Sequence, residues 1–345
     1  MSDETGKPAM DLTTPLSAVP ARGPRYRSRG IRGHLRFLAI WGALAVLILL
    51  CALLLPRAVS LMTFRLIAPF IAFLAIAAMG QALVLMARGI DLSVPGIVAM
   101  SSAVLLGVSS GQDSRMVVAV AAALGVAVLI GLVNGLLVAV LKLNALIVTM
   151  AVGAIVTGLT LWYRQGFAAE ARVPDAVAAF ASARVAGGIP VVAVIALVLM
   201  ALLTLGLRKT IIGRRFEAVG ANPGAAHATG VEVMRYQAGA YAVAGLLYGI
   251  MAVLLSGFIR NPTLEVGNPY LLAPIAAAVL GGTAVSGGIG SMVAVTGAAI
   301  FLILLDQASK MMGLATSWQL IVQGLAIGAG MWLSEASTRM GRGRG

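Results

Sequence analysis

The residues able to do chemistry in this chain are few and widely spaced: 12 carboxylates, 2 histidines and 1 cysteine among 345 residues. Bond chemistry needs a nucleophile beside a base, or a metal held by convergent ligands, and no such spacing occurs. The lysines are Lys7, Lys142, Lys209 and Lys310, and none completes the G-x-x-x-x-G-K-[ST] cradle that holds ATP phosphates. A serine nucleophile elbow and a metalloprotease helix motif are also missing. His34 and His227 lie far apart, and Cys51 sits in an apolar run, so neither a metal site nor an internal disulfide is expected. Nothing in these residues resembles an active site for bond chemistry.

Two polar interruptions of apolar territory stand out. The first is "RGIDLSVPG", Arg88–Gly96, and the second is "GGTAVSGGIG", residues 281–290. The first reads as a helix break and restart carried by Arg88, Gly89, Asp91 and Ser93. Asp91 is expected to pair with Arg88 or to cap the next helix, where a negative charge suits the helix dipole. Ser93 is an alternative cap, with Pro95 just inside the helix. Both interruptions place a serine four residues after a glycine, Gly89–Ser93 and Gly282–Ser286, which suggests an internal pseudo-repeat. Polar uncharged residues within or beside the apolar runs, candidates to line a path through the membrane, are Gln81, Asn134, Asn144, Thr149, Thr157, Thr283, Ser286, Gln319 and Gln323. Each has a competing role, because polar side chains also glue membrane helices together. Glycine patterns such as "GLVNG" and "GAIVTG" point to close helix packing.

The elements that must position these groups are set by lipid. Hydrophobic residues make up 60% of the chain and charged residues 11%, against roughly 25% charged in a soluble domain. Apolar runs near the ~20 residues needed to cross hydrocarbon recur throughout. A transmembrane barrel would instead alternate polarity over segments of about 10 residues. The expected spans are 38–55, 62–86, 93–109, 116–140, 145–163, 190–207, 236–257, 270–285, 289–306 and 318–334. The fold class is therefore all-α, a polytopic transmembrane helical bundle of about ten spans. Residues 1–36 read as a disordered basic cytoplasmic tail rather than a signal peptide. The membrane domain runs from 37 to 336, and 337–345 form a second basic tail.

With the N-terminus inside, 17 of the 25 lysines and arginines fall on the cytoplasmic side and 8 outside. This bias favours both termini being cytoplasmic, and it accounts for the net charge of +13 without nucleic acid. The inside connection 208–235 holds five of these charges. Within it, Asn222 is placed to cap a short helix with Pro223 at its first position, and Gly230 to stop it. Such a helix, flanked by Arg214 and Arg215, suits docking to another protein. The long outside connections, 164–189 and "GFIRNPTLEVGNPY", are either plain loops or a surface for a soluble partner.

Several stretches in a fixed order carry a family resemblance: "GIDLSV" at 89–94, "GLVNGLLVAVLKLNALIVTMAVGAIVTGL" at 131–159, "FEAVGANPGAAHATGVEV" at 216–233, "LGGTAVSGGIGS" at 280–291 and "SWQLIVQGLAI" at 317–327. Together they resemble the permease subunits of ribose-type sugar ABC importers. The resemblance implies a ten-helix permease in a bacterial inner membrane, paired with a second permease chain. It also implies a cytoplasmic ATP-binding subunit, which would use the ATP and magnesium, and a periplasmic sugar-binding protein. This chain would then need no cofactor of its own and would not be an enzyme. By the same resemblance Arg214, Arg215, Glu217, Asn222, Pro223, Ala225, Ala226 and Gly230 form the ATPase-coupling loop. The wider importer pattern there is Glu-Ala-Ala-x-x-x-Gly, and here Gly224 stands at the glutamate position, which removes an ion pair with the ATPase. "LNALIVTM" departs as well, with Asn144 and Ala145 where the family has prolines.

The residues agree with that reading on their own terms. Charges inside the spans are scarce and lie near span ends, as Arg88, Asp91 and Asp306 do, so proton coupling through buried carboxylates has little to work with. The expected function is the transmembrane subunit of an ATP-driven importer for a sugar or related polyol. The alternatives are an ABC permease for nucleosides or branched-chain amino acids, an ion-coupled secondary carrier, and a membrane scaffold.

Overall fold

The computed structural model describes residues 32–166 and 171–315, with scattered positions between 317 and 328. The tail 1–31, most of the span expected at 318–334, Gln323 and the tail 337–345 lie outside the described residues. The described part is helical almost throughout. In order the helices are α1 (Arg32–Leu54), α2 (Leu61–Met86), α3 (Val94–Ser109), α4 (Met116–Ala139), α5 (Ala145–Arg164), α6 (Asp175–Ser182), α7 (Val191–Lys209), α8 (Ile211–Ala221), α9 (Pro223–Ala228), α10 (Val233–Ile259), α11 (Ala273–Leu280) and α12 (Met292–Met311). Among the described residues seven helices are long and apolar enough to cross a membrane, so the protein is a multi-pass membrane protein. Val94–Ser109 and Asn268–Leu280 are shorter apolar segments.

The bundle is built around α2. Of its apolar window 94% is buried, against 22% for the first spanning helix and 11% for Val191–Lys209. A helix apolar all round has no polar face to turn to water, so it is either central or lipid-facing. In α2 it is central, wrapped by α10, α12, α11 and α7. In α1 and α7 it leaves rows of exposed leucines and valines outward, as lipid-facing helices do. The most extensive pairing is α4 with α10. There the "GLVNG" pattern does what its spacing predicted: a Cβ on Gly131 or Gly135 would collide with the backbone of Tyr241 or Ala238. The second pattern divides, since Gly153 packs on Ser93 while Gly158 meets nothing.

Two segments differ from the sequence expectation. The span expected over 270–285 is only eight residues of helix, α11, about 12 Å long and too short to cross alone. Gly281 and Gly282 end it, and 281–290 is a non-helical loop that leads to α12 with Ser291 at its N-cap. The second segment is the outer connection 164–189, which contains α6 and a two-stranded ladder pairing Arg184 with Pro190. Pro174 before Asp175, followed by alanines, is the sequence signal for α6. Cross-links tie this region down: Arg164 Nη1 donates to the Pro262 carbonyl (2.7 Å) and Ala176 N to Asp113 Oδ1 (2.9 Å).

Candidate functional site

The break after α2 is where the predicted residues converge. α2 ends at Met86, and Arg88 follows with a φ of 68°, a left-handed conformation uncommon outside glycine. Asp91 is fully buried, and its Oδ1 accepts from Ser93 N (2.9 Å) and from Ser93 Oγ (2.6 Å). Ser93 Oγ in turn accepts from Asn134 Nδ2 on α4 (2.7 Å). Thr149 on α5 accepts from Leu92 N (3.0 Å). Gln81, in the amide orientation that satisfies both of its atoms, donates to the Asp91 carbonyl (3.1 Å) and accepts from Asp91 N (3.2 Å). Backbone freed by a helix break inside a membrane bundle must be satisfied by neighbours, and these side chains do it.

This arrangement corrects one expectation. Asp91 does not pair with Arg88. It folds back on Ser93 as an N-terminal turn for α3, and Ser93 makes no side-chain cap bond of its own. Arg88 points the other way. Its Nε donates to Gly220 O and its Nη2 to Ala221 O, both at 2.7 Å, at the C-terminal end of α8.

The other path candidates are dispersed. Gln81, Asn134 and Thr149 are buried within the break network, and Thr283 is buried with no partner for its Oγ1 among the described residues. Asn144 is exposed and caps α5, accepting from Leu146 N (2.9 Å). Ser286 is exposed on the 281–290 loop. Gln319 donates to Leu314 O (2.8 Å). Thr157 lines a cleft between α3, α5 and the start of α11, with Gly96, Met150, Gly153 and Leu271. Tyr241 and Tyr248 escaped the sequence reading. They lie seven residues apart on one face of α10, and both rings pack into the break, with the Tyr241 hydroxyl 3.4 Å from Ile90 O and that of Tyr248 3.1 Å from the Gln81 amide. That spacing on a span with few other polar groups was the available signal.

The second candidate is the α8–α9 pair. Asn222 caps α9, its side chain accepting from Ala225 N (3.1 Å), Pro223 occupies the first turn, and Gly230 follows with φ 81°. Arg214, Arg215, Gly224, Ala225 and His227 are exposed, while Ala226 is buried and Glu217 partly so. The exposed surface thus consists of Gly224, Ala225 and His227 beside two arginines.

Comparisons with known proteins agree with this architecture. The family described as "Branched-chain amino acid transport system / permease component" matches residues 62–329. The chain is 32% identical over 291 residues to the probable ABC transporter permease protein y4mJ of Sinorhizobium fredii, covering 84% of this chain and 86% of that one. It is 33% identical over 251 residues to the ribose import permease protein RbsC of Bacillus subtilis (72% and 77%). It is 28% identical over 317 residues to the galactose/methyl galactoside import permease protein MglC of Escherichia coli (86% and 94%). No solved structure matches the chain.

Proposed function

The chain belongs to the permease-component family that spans its residues 62–329, and from that premise we propose that it is the transmembrane subunit of an ATP-driven importer for a sugar or related polyol. It would form the solute path beside a second permease chain. A separate cytoplasmic ATPase would bind and hydrolyse ATP, and an extracytoplasmic binding protein would deliver the solute. The observation that carries the reading is the α8–α9 pair, an exposed small-residue surface anchored to a buried helix break in the bundle core. A chain with no phosphate cradle of its own needs such a surface to receive motion from outside the membrane.

The sidedness inferred from charge is supported by contacts. The break at 88, the end of α8 and the loop at 287–288 meet one another and so share one side of the bundle, and the positive charges of 208–235 favour that side being cytoplasmic. The cleft beside α5 is a reasonable stretch of the path: it carries Thr157, glycines and apolar side chains, and no fixed charge. A neutral polyhydroxylated solute crosses such a lining without leaving an ion unpaired. Selection would then fall largely to the binding protein.

A second solute class is favoured by the family's own description, which names branched-chain amino acids. Calorimetry of the partner binding protein against sugars, polyols and branched-chain amino acids decides between them. Heat from a sugar or polyol alone supports the proposal, and heat from leucine or valine alone replaces it. Co-isolation of an ATPase with the intact permease, lost when α9 is disrupted, tests the docking surface.

A further inference from the structure

Arg88 joins parts of the chain that are far apart in sequence. Its guanidinium donates two hydrogen bonds, both 2.7 Å, to the last two carbonyls of α8, from which it is separated by more than 130 positions. Those carbonyls have no partner within their own helix, and a cation at a helix C-terminus is favoured by the helix dipole. The planar fork of arginine can hold two adjacent acceptors at once, which the single ammonium of lysine does less well.

The surroundings are built for this contact. The carbonyl of Met86, two residues before Arg88, accepts from Gly288 N (2.9 Å), and that of Ala87 from Gln237 Nε2 (3.4 Å) at the start of α10. A Cβ on Gly220 would collide with Met86 O and with Gly288, and a Cβ on Gly288 would collide with Ala221. The end of α2, the end of α8 and the 281–290 loop therefore touch backbone to backbone. Arg88 itself holds a left-handed φ of 68°, a conformation that costs energy in a residue with a Cβ and persists where the surroundings over-determine it. A glycine would hold that backbone with less strain. What arginine adds is its side chain.

We propose that Arg88 is a clamp that passes movement of the α8–α9 docking surface to the break between α2 and α3, and so to the helices beside the cleft. The route onward is continuous. From Arg88 it follows the backbone to Asp91, then the hydrogen bonds through Ser93 to Asn134 on α4, and through Leu92 to Thr149 on α5. Gly96 of α3 and Gly153 of α5 both line the cleft. Arg88 is a positioning residue that touches no solute, and it acts by making α8 and the break move as one body. The proposal rests on the reading that α8–α9 receives an ATPase.

The test is a substitution series in proteoliposomes holding the permease, its ATPase and its loaded binding protein, with solute imported and ATP hydrolysed measured together. Arg88→Gly suits the backbone and removes the whole side chain, its guanidinium included. It should insert and hold the ATPase, yet import per ATP should fall by at least about tenfold, the equivalent of losing one charge-assisted bond from the clamp. Arg88→Lys, with charge but no fork, should fall between the two. A ratio unchanged in Arg88→Gly overturns the proposal. So does loss of ATPase binding in that variant, because Arg88 would then only hold the docking surface in shape. If Arg88→Gly is not recovered in the membrane, Arg88→Lys and Arg88→Gln decide by the same ratio. A wild-type complex that imports nothing on ATP sinks the importer reading itself, a result distinct from any of these.

Discussion

Replacing Gln81 by leucine separates two roles for the buried polar residues. The substitution keeps the volume of the side chain and removes its amide. In the structure that amide donates to the carbonyl of Asp91 (3.1 Å) and accepts from its N–H (3.2 Å), and both groups are buried where no helix satisfies them. A buried backbone group left unpaired costs about 1–3 kcal/mol, so Gln81→Leu should lose about 2–6 kcal/mol. The Tyr248 hydroxyl, 3.1 Å from the same amide, loses a partner too, which favours the upper part of that range. The assay is the midpoint temperature at which purified protein in detergent loses its monodisperse peak, used as a ranking because membrane proteins rarely unfold reversibly. Gln81→Leu should melt several degrees below wild type, and the molecules that survive should transport with unchanged solute preference. Unchanged thermal stability together with an altered preference would refute the reasoning and return Gln81 to the solute path.

Three further outcomes follow from other contacts. Gly135→Val should disrupt the α4–α10 pairing, because its Cβ meets the backbone of Ala238, and should reduce the folded fraction recovered from membranes. Asn222→Ala removes the cap of α9 and should destabilise that helix by about 1 kcal/mol, read as weaker binding of the ATPase with normal insertion. Gly230→Val forces a β-branched residue into a φ of 81° and should lower import per ATP while insertion stays normal, and wild-type import by that variant would count against the coupling assignment.

Much of this molecule was legible in its sequence because lipid imposes simple rules. Length and apolarity located α1, α2, α4, α5, α7, α10 and α12, and local chemistry located the bounds of α9, since Asn222 and Pro223 act at its first turn and Gly230 just past its end. Legibility failed where partners are remote. Arg88 and Asp91 look like a pair when only their neighbours are considered, but the acceptors of Arg88 arrive from α8, and the Oδ1 of Asp91 takes its bonds from Ser93 within its own turn. Of the polar residues singled out as a path, Gln81, Asn134, Thr149 and Thr283 are buried while Asn144, Thr157 and Ser286 are exposed, and the geometry of the first three is that of braces that serve the break. The run 270–285 looked like a span because its apolar content continues past Gly281 and Gly282, whereas the backbone stops being helical there. Tyr241 and Tyr248 were passed over because a tyrosine in an apolar helix reads as core until a polar neighbour is known.

The central claim is that this chain carries solute only when an ATPase drives it. The direct measurement is uptake into proteoliposomes containing the permease with its ATPase and binding protein, with ATP supplied on the side of the α8–α9 loop and membrane gradients collapsed. The account predicts uptake that requires all three proteins and hydrolysable ATP. Uptake by the permease alone, driven by a proton or sodium gradient without ATP, would contradict it.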